Sequence, residues 1–212
     1  MVEFILCLLV GYLLGCVSPS YFLSRSKGID LRNTGQENLG TTNAFMVLGK
    51  SSGIIVMVVD FMKGFLAVKI AQLLFPEFAI AGITAGAAAI LGHIFPFYLK
   101  FRGGKGLATL GGLILSTDWR IFLLLAIIGI AIMLISDWGC AASFSTAILY
   151  PFFYFMKGYS YITLVILEIA CICVVVKHCA NIPRLQAGKE PSVRMSIRKF
   201  LRRVEEEHFT EL

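Results

Sequence analysis

The sequence predicts an all-α integral membrane protein with about seven transmembrane helices, one of them short. Three observations carry that prediction. Of 212 residues, 58% are hydrophobic and 15% charged, and the mean hydropathy is +0.81. A soluble domain of this length cannot hide so many apolar residues. The apolar residues also fall into successive runs near the ~20 residues that a bilayer core requires. Finally, the basic residues gather at the ends of those runs, almost all on one side. The net charge of +6 therefore speaks to topology and to an anionic membrane lipid as partner, not to nucleic acid.

The runs cover about 2–24, 53–75, 78–99, 106–116, 119–136, 138–156 and 160–177. In the first, Leu13-Leu14-Gly15-Cys16 has the look of a lipoprotein cleavage box. Only Glu3 precedes it, where a signal peptide needs positive charge, so the run is read as a retained helix. The fourth run is short, which is tolerated at membrane depth where a helix lines a polar cavity. Residues 106–136 could instead form one interrupted or re-entrant element. The six cysteines sit mostly in apolar runs and lack zinc or redox spacing, so no disulfide, metal or cofactor is expected.

Charge sets the orientation. Arg25, Lys27, Arg32, Lys50, Lys100, Arg102, Lys105 and the basic residues from Lys177 onward share one side, while Arg120 and Lys157 share the other. The positive-inside rule makes the first side cytoplasmic. The N-terminus is then outside and the C-terminus cytoplasmic, which needs an odd number of spans. Residues 1–193 form the membrane domain. Residues 194–212 read as a basic amphipathic tail, with Ile197, Phe200, Leu201 and Val204 able to share one face, lying on the anionic inner leaflet.

Three polar segments, 25–52, 100–106 and 178–212, then meet on the cytoplasmic face. The first, from Lys27 to Asn43, is rich in Gly, Asn and Thr and longer than a plain connection needs. The second contains Gly103-Gly104-Lys105-Gly106 before an apolar run. Glycines let backbone N–H groups converge and Lys105 adds charge, a good cradle for phosphate at a helix start. The third begins at His178, an acid–base candidate near neutral pH, with Asn181 one helical turn on. Within the second span Asp60 and Lys63 are spaced to pair, either as an ion pair between helices or as part of a polar pocket. Lys69 and Gln72 could snorkel toward the outer surface.

Together these segments resemble the bacterial acyl-phosphate:glycerol-3-phosphate acyltransferase family over about residues 10–190. The likeness rests on Lys27-Gly28-Ile29-Asp30-Leu31-Arg32, Asn38-Leu39-Gly40-Thr41-Thr42-Asn43 and Asp60-Phe61-Met62-Lys63-Gly64. It continues in Leu91-Gly92-His93, Gly103-Gly104-Lys105-Gly106 and His178 with Asn181-Ile182 and Arg184-Leu185. The resemblance implies a multi-pass enzyme of the bacterial inner membrane. It would move a fatty acyl group from acyl-phosphate to the sn-1 hydroxyl of glycerol-3-phosphate, giving lysophosphatidic acid for phospholipid synthesis.

The implied roles follow residue by residue. Lys105 with Gly103, Gly104 and Gly106 would hold phosphate, and Asn38, Thr42 and Asn43 would orient substrates. His178 and Asn181 would place glycerol-3-phosphate, and Arg184 and Ser143 complete the family's positions. The chain departs from the family pattern at Gln36-Glu37, where Ser-Gly is usual, and around Met46, where an Arg is usual. The alternative is a non-enzymatic paralogue, a small transporter or a lipid-binding protein. A transporter more often shows internal repeats and mid-membrane polar residues. No repeat is visible here, and most polar groups gather on one face.

Overall fold

The computed structural model describes residues 1–188, Glu190, Ser192–Met195 and Arg198. Every expected apolar run is helical. The helices are α1 (Val2–Cys16), α2 (Pro19–Ser26), α3 (Thr41–Leu48), α4 (Lys50–Leu74) and α5 (Ala81–Ile94), then α6 (Leu107–Thr117), α7 (Trp119–Ser136), α8 (Ala141–Met156), α9 (Tyr161–Cys179) and α10 (Ile182–Gln186). The stretches Val2–Ser26, Ala81–Leu99, Trp119–Ser136 and Tyr161–Gln186 are long and apolar enough to cross a membrane. Helix α4 is of similar length, while α6 and α8 are shorter apolar helices. The expected tail over 194–212 lies outside the described residues, apart from Arg194, Met195 and Arg198.

Two expectations are corrected. The first run is not one helix: it breaks at Val17-Ser18, with Val17 extended and Pro19 opening α2. Proline lacks an N–H and disfavours helix in the residue before it, which suits a helix start and forbids an unbroken interior. The carbonyls freed at the break are satisfied by side chains. Tyr98 Oη donates to Cys16 O at 2.8 Å, and Lys63 Nζ donates to Val17 O at 2.8 Å. The first polar segment of the chain also contains a helix, α3, inside what reads as a loop. Residues 106–136 form two helices, as the separate runs predict: Asp118 ends α6 in an extended conformation and caps α7, accepting from Arg120 N and Ile121 N.

Lipid offers no hydrophobic drive between helices, so close packing of small residues holds them. Helix α1 lies against α5 along Gly11 and Gly15, where an added Cβ would come within 2.0 Å of Ala85 O and 2.1 Å of Ala89 O. Helices α4 and α6 meet in the same way through Gly64 and Gly112, whose Cβ atoms would strike Thr109 O and Phe61 O. Lys69 is exposed, and its Nζ donates to Ser116 O at 2.8 Å, capping the last turn of α6. A buried cluster including Ile90, Ile94, Leu110, Leu113, Tyr150 and Val174 joins α5, α6, α8 and α9. Helix α6 rises only about 16 Å, roughly half a bilayer core, and starts beside the second polar segment.

Candidate active site

The polar segments meet at one end of a cavity of about 780 Å³, within the usual range for a small-molecule site. Asn38, Thr42, Lys105, Ser143, His178 and Asn181 line its polar end. Ile114, Phe122, Leu125, Ala126, Ile130 and Met133, from α6 and α7, line an apolar end. A smaller cavity of about 180 Å³ shares Gln36, Asn38 and Lys105 and adds Arg102, Lys177 and Arg184. Four basic side chains thus border one small space.

The third segment builds a hydrogen-bonded cluster. Asn181 Oδ1 accepts from Lys105 Nζ and, at 2.8 Å, from Arg184. Asn181 Nδ2 donates to Glu190 Oε1 at 3.0 Å, and Arg184 Nε donates to Glu190 Oε2 at 3.1 Å. Glu190, absent from the expected site residues, is therefore the carboxylate that fixes Asn181 and Arg184. Burial, and secondly the neighbouring Arg184 charge, push the Lys105 ammonium down to about 8.

His178 is buried on the last turn of α9, and its ring packs edge-on against Phe144. Its Nδ1 lies 2.8 Å from Val174 O. A carbonyl can only accept, so Nδ1 carries the proton and the neutral ring keeps a lone pair on Nε2. His178 also borders the cavity, so it has the tautomer of a general base.

The expected phosphate loop and its neighbours are placed differently from one another. The Gly103 amide donates to Ile94 O and the Gly104 amide to His93 O, each at 3.1 Å. Those two N–H groups close the end of α5. The donors left for a ligand are Lys105 Nζ and the first turn of α6 after Gly106, whose φ of +91° suits glycine. Asn43 is fully buried and lies away from the cavity. Its Nδ2 donates to Leu31 O, Thr34 O and Asn38 O, and its Oδ1 accepts from Gln36 N. It holds the first segment together and is not placed to orient a substrate.

Asn38 folds back on Gln36 O and Gly40 N while still bordering both cavities. Of the departures from the family pattern, Gln36 borders the larger cavity, Glu37 only the smaller one, and Met46 is exposed. Asp60 and Lys63 do pair, at 2.7 Å, and His93 joins them with Nδ1 3.3 Å from Asp60 Oδ1. The ion pair and the pocket are one arrangement, because Asp60 and His93 also border the cavity.

A helical membrane protein with a cationic, histidine-bearing end and an apolar end in one cavity is fitted to a phosphate-bearing amphiphile. The chain belongs to the glycerol-3-phosphate acyltransferase family, whose model matches residues 5–188. It is 36% identical over 191 residues to the glycerol-3-phosphate acyltransferase of Mesorhizobium japonicum, covering 89% of this chain and 95% of that protein. With the Bacillus subtilis enzyme of that name it shares 33% over 190 residues, covering 89% and 97%. Its fold matches the crystal structure of PlsY, an integral membrane glycerol 3-phosphate acyltransferase, in the glycerol 3-phosphate form. The TM-score is 0.81 at 32% identity, covering 89% of this chain and 94% of that one. The lysophosphatidic acid form of PlsY gives 0.78 at 30% identity.

Proposed function

We propose that this protein transfers a fatty acyl group from acyl-phosphate to the sn-1 hydroxyl of glycerol-3-phosphate in the bacterial inner membrane, releasing phosphate and lysophosphatidic acid. The observation that carries the reading is the single cavity joining Lys105, His178 and Asn181 to an apolar channel between α6 and α7. The donor is already activated, since phosphate is a good leaving group. The enzyme's work is to hold two phosphate-bearing molecules and bring a hydroxyl to the acyl carbonyl. The hydroxyl oxygen attacks the carbonyl carbon, its proton passes to His178 Nε2, and the acyl–phosphate bond breaks.

Lys105 and the start of α6 hold phosphate, while Arg184 and Asn181, braced by Glu190, shape the acceptor side. The Lys and Arg residues around the polar end support placing it at the cytoplasmic face, N-terminus outside, where the tail from Arg194 would meet anionic lipid. The test is steady-state kinetics of purified Lys105→Ala. Losing one charge-assisted phosphate contact should raise KM for a phosphate-bearing substrate about 10- to 100-fold. Unchanged kinetics would remove Lys105 from the site.

A further inference from the structure

The buried Asp60, Lys63 and His93 lie where the mechanism makes no use of them. Each is less than a tenth exposed. Lys63 Nζ and His93 Nδ1 converge on Asp60 Oδ1, and Lys63 also reaches Val17 O at the break between α1 and α2. The cluster therefore ties α4, α5 and that break to one point. The other edge of the His93 ring meets the phosphate loop. A Cβ on Gly104 would stand 2.1 Å from His93 Nε2, and one on Gly103 would stand 2.0 Å from His93 O. The amides of Gly103 and Gly104 hang from Ile94 O and His93 O, and Gly103 O accepts from Leu39 N at 3.3 Å.

We propose that Asp60 and His93 are positioning residues for Lys105: Asp60 fixes the His93 ring, and the ring sets the height of the Gly103–Gly106 loop above α5. Gly104 is then required because the His93 ring occupies the space of a side chain, and Gly103 because the His93 and Ile94 carbonyls do. Lys105 follows directly, so a shift of the loop moves its Nζ relative to Asn181. The proposal rests on the reading of Lys105 as a phosphate ligand. A misplacement of this kind by about 1 Å can cost 10²-fold in rate or binding.

The experiment is a double-mutant cycle on the purified full-length protein between Gly104→Ala and His93→Ala, reading KM for glycerol-3-phosphate and for acyl-phosphate separately from kcat. Gly104→Ala and His93→Ala should each raise the same KM by about tenfold or more, and the double variant should show little further loss, because collision and support are one contact. Asp60→Asn should raise the same KM, with Lys105→Ala as the reference for its size. A cluster that only stabilises the fold would lower the melting temperature and the active fraction and leave KM alone. The proposal is overturned if Gly104→Ala or His93→Ala keeps a normal KM, or if the two defects multiply as those of independent sites would. If Lys105→Ala itself leaves both KM values unchanged, the failure lies with the phosphate reading instead. Should Asp60→Asn not fold, the Gly104–His93 cycle still decides.

Discussion

Lys105 carries a charge that its surroundings make conditional. Burial and Arg184 lower its pKa to about 8, so it is protonated at pH 7 and increasingly neutral above pH 8. Phosphate binding should therefore weaken as pH rises from 7 to 9, visible as a KM that climbs with a midpoint near 8 in the free enzyme. Lys105→Arg, which stays charged, should flatten that climb. A KM independent of pH over this range would contradict the assignment. His178 makes a separate demand. Replacing it with Ala should lower kcat by about 10²- to 10⁴-fold, the usual worth of a positioned base, with KM changed little. Asn43, by contrast, should show itself in stability. Asn43→Ala leaves three carbonyls without their shared donor, that of Leu31 buried, and should cost about 2 kcal/mol in chemical unfolding, at about 1–3 kcal/mol per buried unsatisfied group.

At the scale of elements, the helices are held by contacts that admit no side chain. Gly64 sits against Thr109 O, so Gly64→Val forces α4 away from α6. The expected loss is about 3 kcal/mol, the upper part of the range for overpacking, read as a lower melting temperature in detergent. Helix boundaries show what the sequence could and could not yield. Apolar runs stood out because hydropathy varies little within a span. The break at Val17-Ser18 is masked by apolar residues on both sides, and Pro19 was its only local signal. Helix α3 hid because Gly40-Thr41-Thr42-Asn43 carries turn-forming residues, while its helix is set by packing of Ala44 and Leu48 against Leu31, Leu39 and Val56.

For the molecule as a whole, the polar segments were legible as a group because charge placed them on one face. Their individual roles were less so. An asparagine offers the same donors to a backbone as to a ligand, so only geometry separates Asn43, turned inward, from Asn181, turned to the cavity. Glu190 gave no signal at all, being one acid among the basic residues of the third polar segment. The apolar channel was equally hidden, since its residues look like any lipid-facing helix. Gly129 borders that channel on α7 with Ala142 as its nearest neighbour. Gly129→Phe should shorten the preferred acyl chain by filling the channel, measured as a shift in kcat/KM across acyl-phosphates of graded length.

The central claim is that this cavity joins glycerol-3-phosphate to an activated acyl group. The most direct measurement supplies the purified protein with radiolabelled glycerol-3-phosphate and either acyl-phosphate or acyl-CoA, then separates the lipid products. The account predicts labelled lysophosphatidic acid from acyl-phosphate, formed at least about 100-fold more slowly by His178→Ala. Absence of labelled lipid with both donors, from protein shown to be folded, would contradict it.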